Sequence, residues 1–185
     1  LVRRQALRKI IKPLIVLTPK GLLRDSRATS PVADLTRGAF QEILPDPAVP
    51  KGARRVILCS GKVFYDLQDY QKQHQITDTA ILRLEQIYPL HTQKLTGFLS
   101  RHSPDAEIIW CQEESENMGA WSHLALRLSA LLPKPIRYVG RDSSSSPATG
   151  SLIIHNLEQN QLVQEAFAAA PSKKSKPETS RKKKK

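Results

Sequence analysis

The chain has 185 residues, 39% hydrophobic and 25% charged, which suits one globular domain around a single core. No apolar run approaches the roughly 18–20 residues of a membrane-spanning helix, and no apolar signal region opens the sequence. The net charge of +12 sits at the ends, +5 in residues 1–12 and +7 in residues 171–185, so residues 13–170 carry none and lack the basic face of a nucleic-acid-binding fold.

In chain order, residues 1–12 read as a basic lead-in. The sequence starts at Leu1 and its one methionine is Met118, so it reads as part of something longer. Short apolar runs at 14–17 (LIVL), 55–58 (RVIL), 80–84 (AILRL), 107–111 (EIIWC) and 136–139 (IRYV) predict five strands, nearly continuous in Val, Ile and Leu as strands covered on both faces are. Between them, helical spacing marks 35–44, 62–74, 91–101, 120–132 and 157–169. Pro45, Pro47, Pro50 and Gly52 punctuate the approach to the second strand, and Ser143 to Ser146 form a polar loop before the last helix. The alternation predicts an α/β fold of three layers over residues 13–170, a mostly parallel five-stranded sheet with helices on both faces. Residues 171–185 (PSKKSKPETSRKKKK) predict a disordered basic tail.

Cys59 and Cys111 each sit inside an apolar run with no CxxC spacing, which predicts buried, reduced thiols. Ser60, Gly61 and Lys62 follow a strand and precede a helix. That turn offers free N–H groups and a cation to an anion, but lacks the spacing of a full phosphate loop. After Trp110 come three acids, Glu113, Glu114 and Glu116, just ahead of the helix predicted from Ala120. Capping and the helix dipole account for one or two of them. His102 and His123 stand at no recognisable metal spacing from these acids. His155 precedes the predicted last helix as a cap or interface residue, and no GxSxG elbow occurs. Trp110, Trp121, Phe64, Tyr65 and Tyr88 are expected in the core or at a subunit interface.

Several stretches together resemble one family. They are KPLIVLTPKGLLR (12–24), ILCSGKVFYDL (57–67), AILRLEQIYPL (80–90), WCQEESENMGAW (110–121) and SSPATGS (145–151). The chain resembles the C-terminal domain of 2-oxoglutarate dehydrogenases over roughly residues 2–170. The signature positions are Gln112, Glu113, Glu114, Asn117, Gly119 and Trp121. The 2-oxoadipate dehydrogenases are the nearest competing family, and EQIYP favours the oxoglutarate branch.

The resemblance implies a transketolase C-terminal-type fold with one antiparallel edge strand, inside a homodimeric enzyme of the citric acid cycle. That enzyme decarboxylates 2-oxoglutarate on thiamine diphosphate with magnesium and passes succinyl to lipoyl-lysine of the dihydrolipoyl succinyltransferase component. Cofactor ligands and catalytic residues would lie in upstream domains, so this segment alone is expected to bind no cofactor or metal and to be inactive. Its role would be to support the dimer. The signature acids would order a loop and a subunit contact. An allosteric acetyl-coenzyme A site of some bacterial relatives corresponds here to Arg4, Gln86 and Lys94. Ala39, Glu42 and Gln93 depart from that pattern, which removes cations, adds a carboxylate and weakens phosphate binding. The expected setting is the bacterial cytoplasm, or the mitochondrial matrix in a eukaryote. No membrane and no nucleic acid is expected as a partner. The tail departs from the family and offers a docking arm for an acidic surface. The competing reading is a stand-alone module that binds anions or nucleic acid through the Ser60–Lys62 turn and the lysine tail.

Overall fold

The computed structural model describes residues 1–45 and 52–169. The punctuating residues 46–51 and the tail at 171–185 lie outside the described residues.

The helices are α1 (Val2–Leu7), α2 (Val32–Thr36), α3 (Val63–Gln73), α4 (Thr92–Leu99), α5 (Trp121–Leu131) and α6 (Leu152–Phe167). The strands are β1 (Ile43–Pro45), β2 (Arg55–Cys59), β3 (Thr79–Leu84), β4 (Glu107–Ser115) and β5 (Arg137–Arg141), in the sheet order β1-β3-β2-β4-β5. β2, β3, β4 and β5 run parallel, and β1 closes one edge antiparallel to β3. This is the three-layer, mostly parallel architecture expected from the strand–helix alternation.

The pleat divides each apolar run between two cores. Val56, Leu58, Ala80, Leu82 and Trp110 face one side and pack with Leu95 of α4 and with Leu124 and Leu128 of α5. Ile57, Cys59, Ile81, Ile109, Cys111 and Val139 face the other, against Val63 and Leu67 of α3 and Leu162, Val163 and Ala166 of α6. Most of these side chains are fully enclosed, and each Leu or Ile so buried contributes about 1.5–3 kcal/mol. α3 stops where Gln75 takes a left-handed φ of 52°. α5 stops at Leu131, two residues ahead of Pro133.

Polar order at the N-terminal ends of the strands ties sheet to helix. Glu107 accepts from Arg55 at 2.8 Å and from Arg137 at 2.6 Å. Arg137 also donates to the carbonyls of Glu165 and Ala168, and Arg55 to that of Phe167. These two guanidiniums add donors where the carbonyls at and just past the end of α6 run short of them, although that of Glu165 also accepts the Ala168 N–H at 3.2 Å.

The structure corrects four element assignments. Residues 14–17 form no strand and lie exposed, and the fifth strand is instead Ile43–Pro45, paired Ile43 with Leu84. The helix expected at 35–44 is replaced by short α2 and β1. At Gly38 the chain passes so close to the Asp34 carbonyl that a Cβ would come within 2.5 Å of its oxygen, and the turn breaks the helical spacing there. β4 runs on to Ser115, through a register shift between Cys111 and Ser115, where a stop at Cys111 was expected. α6 starts at Leu152, so His155 lies inside its first turn and does not precede the helix. Among the described residues no helix is long and apolar enough to cross a membrane.

Candidate functional site

The connection from β2 to β3 runs through α3 on one face of the sheet. The connection from β3 passes over β2 to β4 by way of α4 on the other face. The winding therefore reverses between β2 and β4, and their C-terminal ends open a crevice of the kind where α/β sheets bind ligands. The Ser60–Lys62 turn leaves β2 there, and Gln112 and Glu113 lie opposite on β4.

Gly61 has φ 72°, which makes this tight turn possible and places Lys62 at the start of α3. Lys62 Nζ donates to Asp66 at 2.8 Å and pairs with Glu113 at 2.9 Å. Gln159 of α6 reaches the same two carboxylates through Nε2, at 2.7 Å to Asp66 and 2.8 Å to Glu113. One ammonium and one amide thus hold two acids from different elements. Burial lowers the Lys62 pKa, but the hydrogen bonds to Asp66 and Glu113 outweigh it, and the group ends above its ordinary value.

Arg141 at the end of β5 fixes the orientation of that amide. It pairs with Glu158 at 2.7 Å, donates to Gln159 Oε1 at 3.2 Å and to the Glu113 carbonyl, and lies 3.3 Å from His155 Nδ1. With Oε1 engaged as acceptor, Nε2 is left to face the carboxylates. Beside this network a cleft of about 850 Å³ runs between the 140–150 loop and α6, lined by Glu113, Arg141, His155, Glu158, Gln161 and Glu165 among others.

Lys62 is therefore neutralised by protein carboxylates. An incoming phosphate would meet Asp66 and Glu113 on the same ammonium, so the turn does not fit an anion or a diphosphate as it stands.

The loop after Trp110 is organised by a buried amide. Gln112 Oε1 accepts from Trp110 Nε1 at 2.8 Å and from the Trp121 backbone N–H at 3.0 Å. Its Nε2 donates to the carbonyls of Glu114, Ser115 and Met118 at 3.2, 3.1 and 2.9 Å. Gln112 thus satisfies a free N–H at the start of α5, the role expected of the acids. Glu113 turns instead to Lys62, and Glu116 accepts from Ser143 at 3.3 Å. Asn117 clips the loop to the next one, donating to the Ser144 carbonyl at 2.9 Å and accepting the Ser144 N–H at 3.0 Å. Gly119 has φ 65°, and a Cβ there would come within 2.9 Å of Glu114 Cβ and 3.1 Å of Gln112 Nε2. Trp121 packs on Tyr138, ring centroids 5.3 Å apart. The signature residues thus build a knot at the end of β4 and the start of α5.

At the opposite edge, Arg4, Gln86 and Lys94 do converge. Arg4 donates to Gln86 Oε1 at 2.6 Å and stacks 3.6 Å above the Phe40 ring. The Glu42 carbonyl accepts the N–H groups of Glu85 and Gln86, and its carboxylate pairs with Lys94 at 2.5 Å. The hydrogen bond from Lys94 holds the Glu42 carboxyl below its ordinary pKa. Glu42 thus occupies the cation that a phosphate ligand would need.

Cys59 and Cys111 face each other in register on neighbouring strands as free, buried thiols. Burial pushes Cys59 well up and Cys111 up to about 12, which leaves both protonated. Trp110, Phe64 and Tyr65 are core residues as expected, whereas Tyr88 is exposed. Among the described residues no group of three or more His, Cys, Asp or Glu comes together as metal ligands. Sequence reading missed Gln159 and Arg141, because no local spacing links α6 and β5 to the turn; it also missed Asp66, although its i,i+4 spacing from Lys62 was a local signal.

A family model described as 2-oxoglutarate dehydrogenase C-terminal matches residues 29–167. A 2-oxoglutarate dehydrogenase E1 component from Cupriavidus necator is 41% identical over 172 residues, 91% of this chain and 18% of that protein. An oxoglutarate dehydrogenase from Buchnera aphidicola is 43% identical over 171 residues, 90% of this chain and 19% of that protein. The chain thus spans about a fifth of the length of these relatives. Among solved structures, a split-gene transketolase described as an inactive beta4 tetramer aligns with a TM-score of 0.49 and 18% identity, over 69% of this chain and 41% of that one.

Proposed function

The chain belongs to the 2-oxoglutarate dehydrogenase C-terminal family, and from that membership we propose that it serves as the C-terminal domain of a thiamine diphosphate-dependent E1 component. The whole enzyme decarboxylates 2-oxoglutarate and hands succinyl to the dihydrolipoyl succinyltransferase of a multienzyme complex. The observation that carries the reading is the match along 91% of the chain at 41% identity, with the signature residues Gln112 and Trp121 hydrogen-bonded to each other, Asn117 clipping the same loop to Ser144 and Gly119 making its turn. In this reading thiamine diphosphate and magnesium are held outside this segment, which the paired carboxylates on Lys62 support only for the Ser60–Lys62 turn. The part assigned to this domain is mechanical. It holds a rigid loop surface at the C-terminal ends of β4 and β5 and supports a homodimer.

The test is a graft. The matching region of the Cupriavidus necator relative is replaced by this chain, and thiamine-dependent release of CO2 from 2-oxoglutarate is measured. Activity within about tenfold of the parent is expected, with none from the 185-residue chain alone. A folded, cofactor-binding graft with no decarboxylation would overturn the reading.

A further inference from the structure

The unneutralised acids of this fold gather in one place. Among the described residues, the acidic side chains that no cation pairs with are Asp34, Glu114, Glu116, Asp142 and Glu165. Every other one, from Asp25 with Arg27 to Glu158 with Arg141, has an ion-pair partner. Glu114, Asp142 and Glu165 line the cleft between the 140–150 loop and α6, and Glu116 reaches its rim by accepting from Ser143 at 3.3 Å. Asp34 lies apart on α2.

The cations at the cleft are already committed. Arg141 pairs with Glu158 and donates to the Glu113 carbonyl, and Lys62 holds the Glu113 carboxylate. Acids from β4, the 140–150 loop and α6 therefore face one concavity of about 850 Å³ with nothing among the described residues to balance them. They do not converge as metal ligands. Charge spread along a concave wall focuses a negative potential that suits a run of cations more than a single ion.

Such a run belongs to the same chain. Residues 171–185, outside the described residues, carry Lys173, Lys174, Lys176, Arg181 and Lys182 to Lys185 against one acid, Glu178. The segment follows α6, and Glu165 stands in the last turn of that helix. From Glu165 the cleft runs back along α6 through Gln161 and Glu158 to His155, about 15 Å at 1.5 Å per residue. At about 3.3 Å per extended residue the segment spans up to about 50 Å, enough to follow the helix back to Asp142 and Glu114.

We propose that residues 171–185 double back along α6 and seat their cations in this cleft, with Lys173, Lys174 and Lys176 toward Glu165 and the run at 181–185 toward Asp142 and Glu114. The lysine arm is thereby held by its own fold and withheld from outside acidic surfaces. The contact is independent of the E1 reading, because it needs only residues of this chain.

Carbodiimide coupling of the full chain tests it, since this reagent joins a lysine amine to a carboxylate in contact with it. Light and heavy isotope-labelled chains are mixed, and mass spectrometry reads which acids the tail reaches. At low salt, links from the tail to Glu114, Asp142 and Glu165 within one chain should exceed those to Asp34 at least about tenfold, and about 0.5 M salt should bring them to the Asp34 level. Equal coupling to Asp34 and to the cleft acids overturns the proposal. Links that join a light chain to a heavy one overturn it in favour of a second copy. The variant Glu114→Gln/Asp142→Asn/Glu165→Gln loses no ion pair and should keep its melting temperature, while trypsin should trim its tail about tenfold faster than that of the native chain. Equal trimming rates overturn the proposal. If the variant does not fold, the salt dependence of the native links decides.

Discussion

Lys62 and Glu113, at the ends of β2 and β4, meet at 2.9 Å across the crevice where the winding of the sheet reverses. Their ion pair closes the position that would otherwise be open to an anion. Asp66 and Gln159 tie α3 and α6 into the same contact.

Replacing Lys62 by Met leaves Asp66 and Glu113 sharing Gln159 with no cation between them. The groups are about a fifth to a third exposed, so solvent screening limits the loss to about 1–2 kcal/mol at neutral pH. Lys62→Met/Glu113→Gln removes the repulsion with its cause and recovers part of that loss. Urea denaturation of the native chain, the two single variants Lys62→Met and Glu113→Gln, and the double variant gives the coupling.

Gln112 carries the loop knot through five hydrogen bonds. Gln112→Ala should destabilise by about 2–4 kcal/mol, through orphaned carbonyls and a free N–H at the start of α5. Gly119→Ala should lose about 1–3 kcal/mol, through a left-handed φ and the close Glu114 Cβ. Thermal melts check both, and loss of Asn117 protection in hydrogen exchange would place the damage in the loop.

Glu107 gives the fold an acid limit. Burial raises its pKa, but the hydrogen bonds from Arg137 and Arg55 lower it further, leaving it below the ordinary 4.5. A folded pKa below the unfolded one means the contribution is complete above about pH 4.5 and fades as pH falls through the folded value. Glu42, held low by Lys94, acts in the same direction. Stability should therefore drop as pH falls below about 4.5 in the native chain, and less steeply in Glu107→Gln. Equal slopes would show that the two arginines do not stabilise the charged carboxylate.

Glu42→Gln should free Lys94 beside Arg4 and Gln86. Calorimetry at low salt should then show acetyl-coenzyme A binding about tenfold tighter than to the native chain. Unchanged affinity would mean that Glu42 does not govern the cation.

What the sequence alone determined was the layered α/β class and four of its five strands. Buried parallel strands must be apolar on both faces, and the runs at 55–58, 80–84, 107–111 and 136–139 announce that locally. The signature residues from Gln112 to Trp121 were also legible, because they are close in the chain. Tertiary structure decided the rest. The run at 14–17 has the same composition as a strand, but a strand exists only where an edge receives it, and this chain's sheet took Ile43–Pro45 in its place. Gln112, rather than an acid, reached the start of α5 because β4 runs on past Cys111. The charge network of Lys62, Asp66, Glu113, Arg141 and Gln159 joins side chains from four elements and a turn; Lys62 and Asp66 are an i,i+4 pair, but only the winding of the sheet brings Glu113, Arg141 and Gln159 to them.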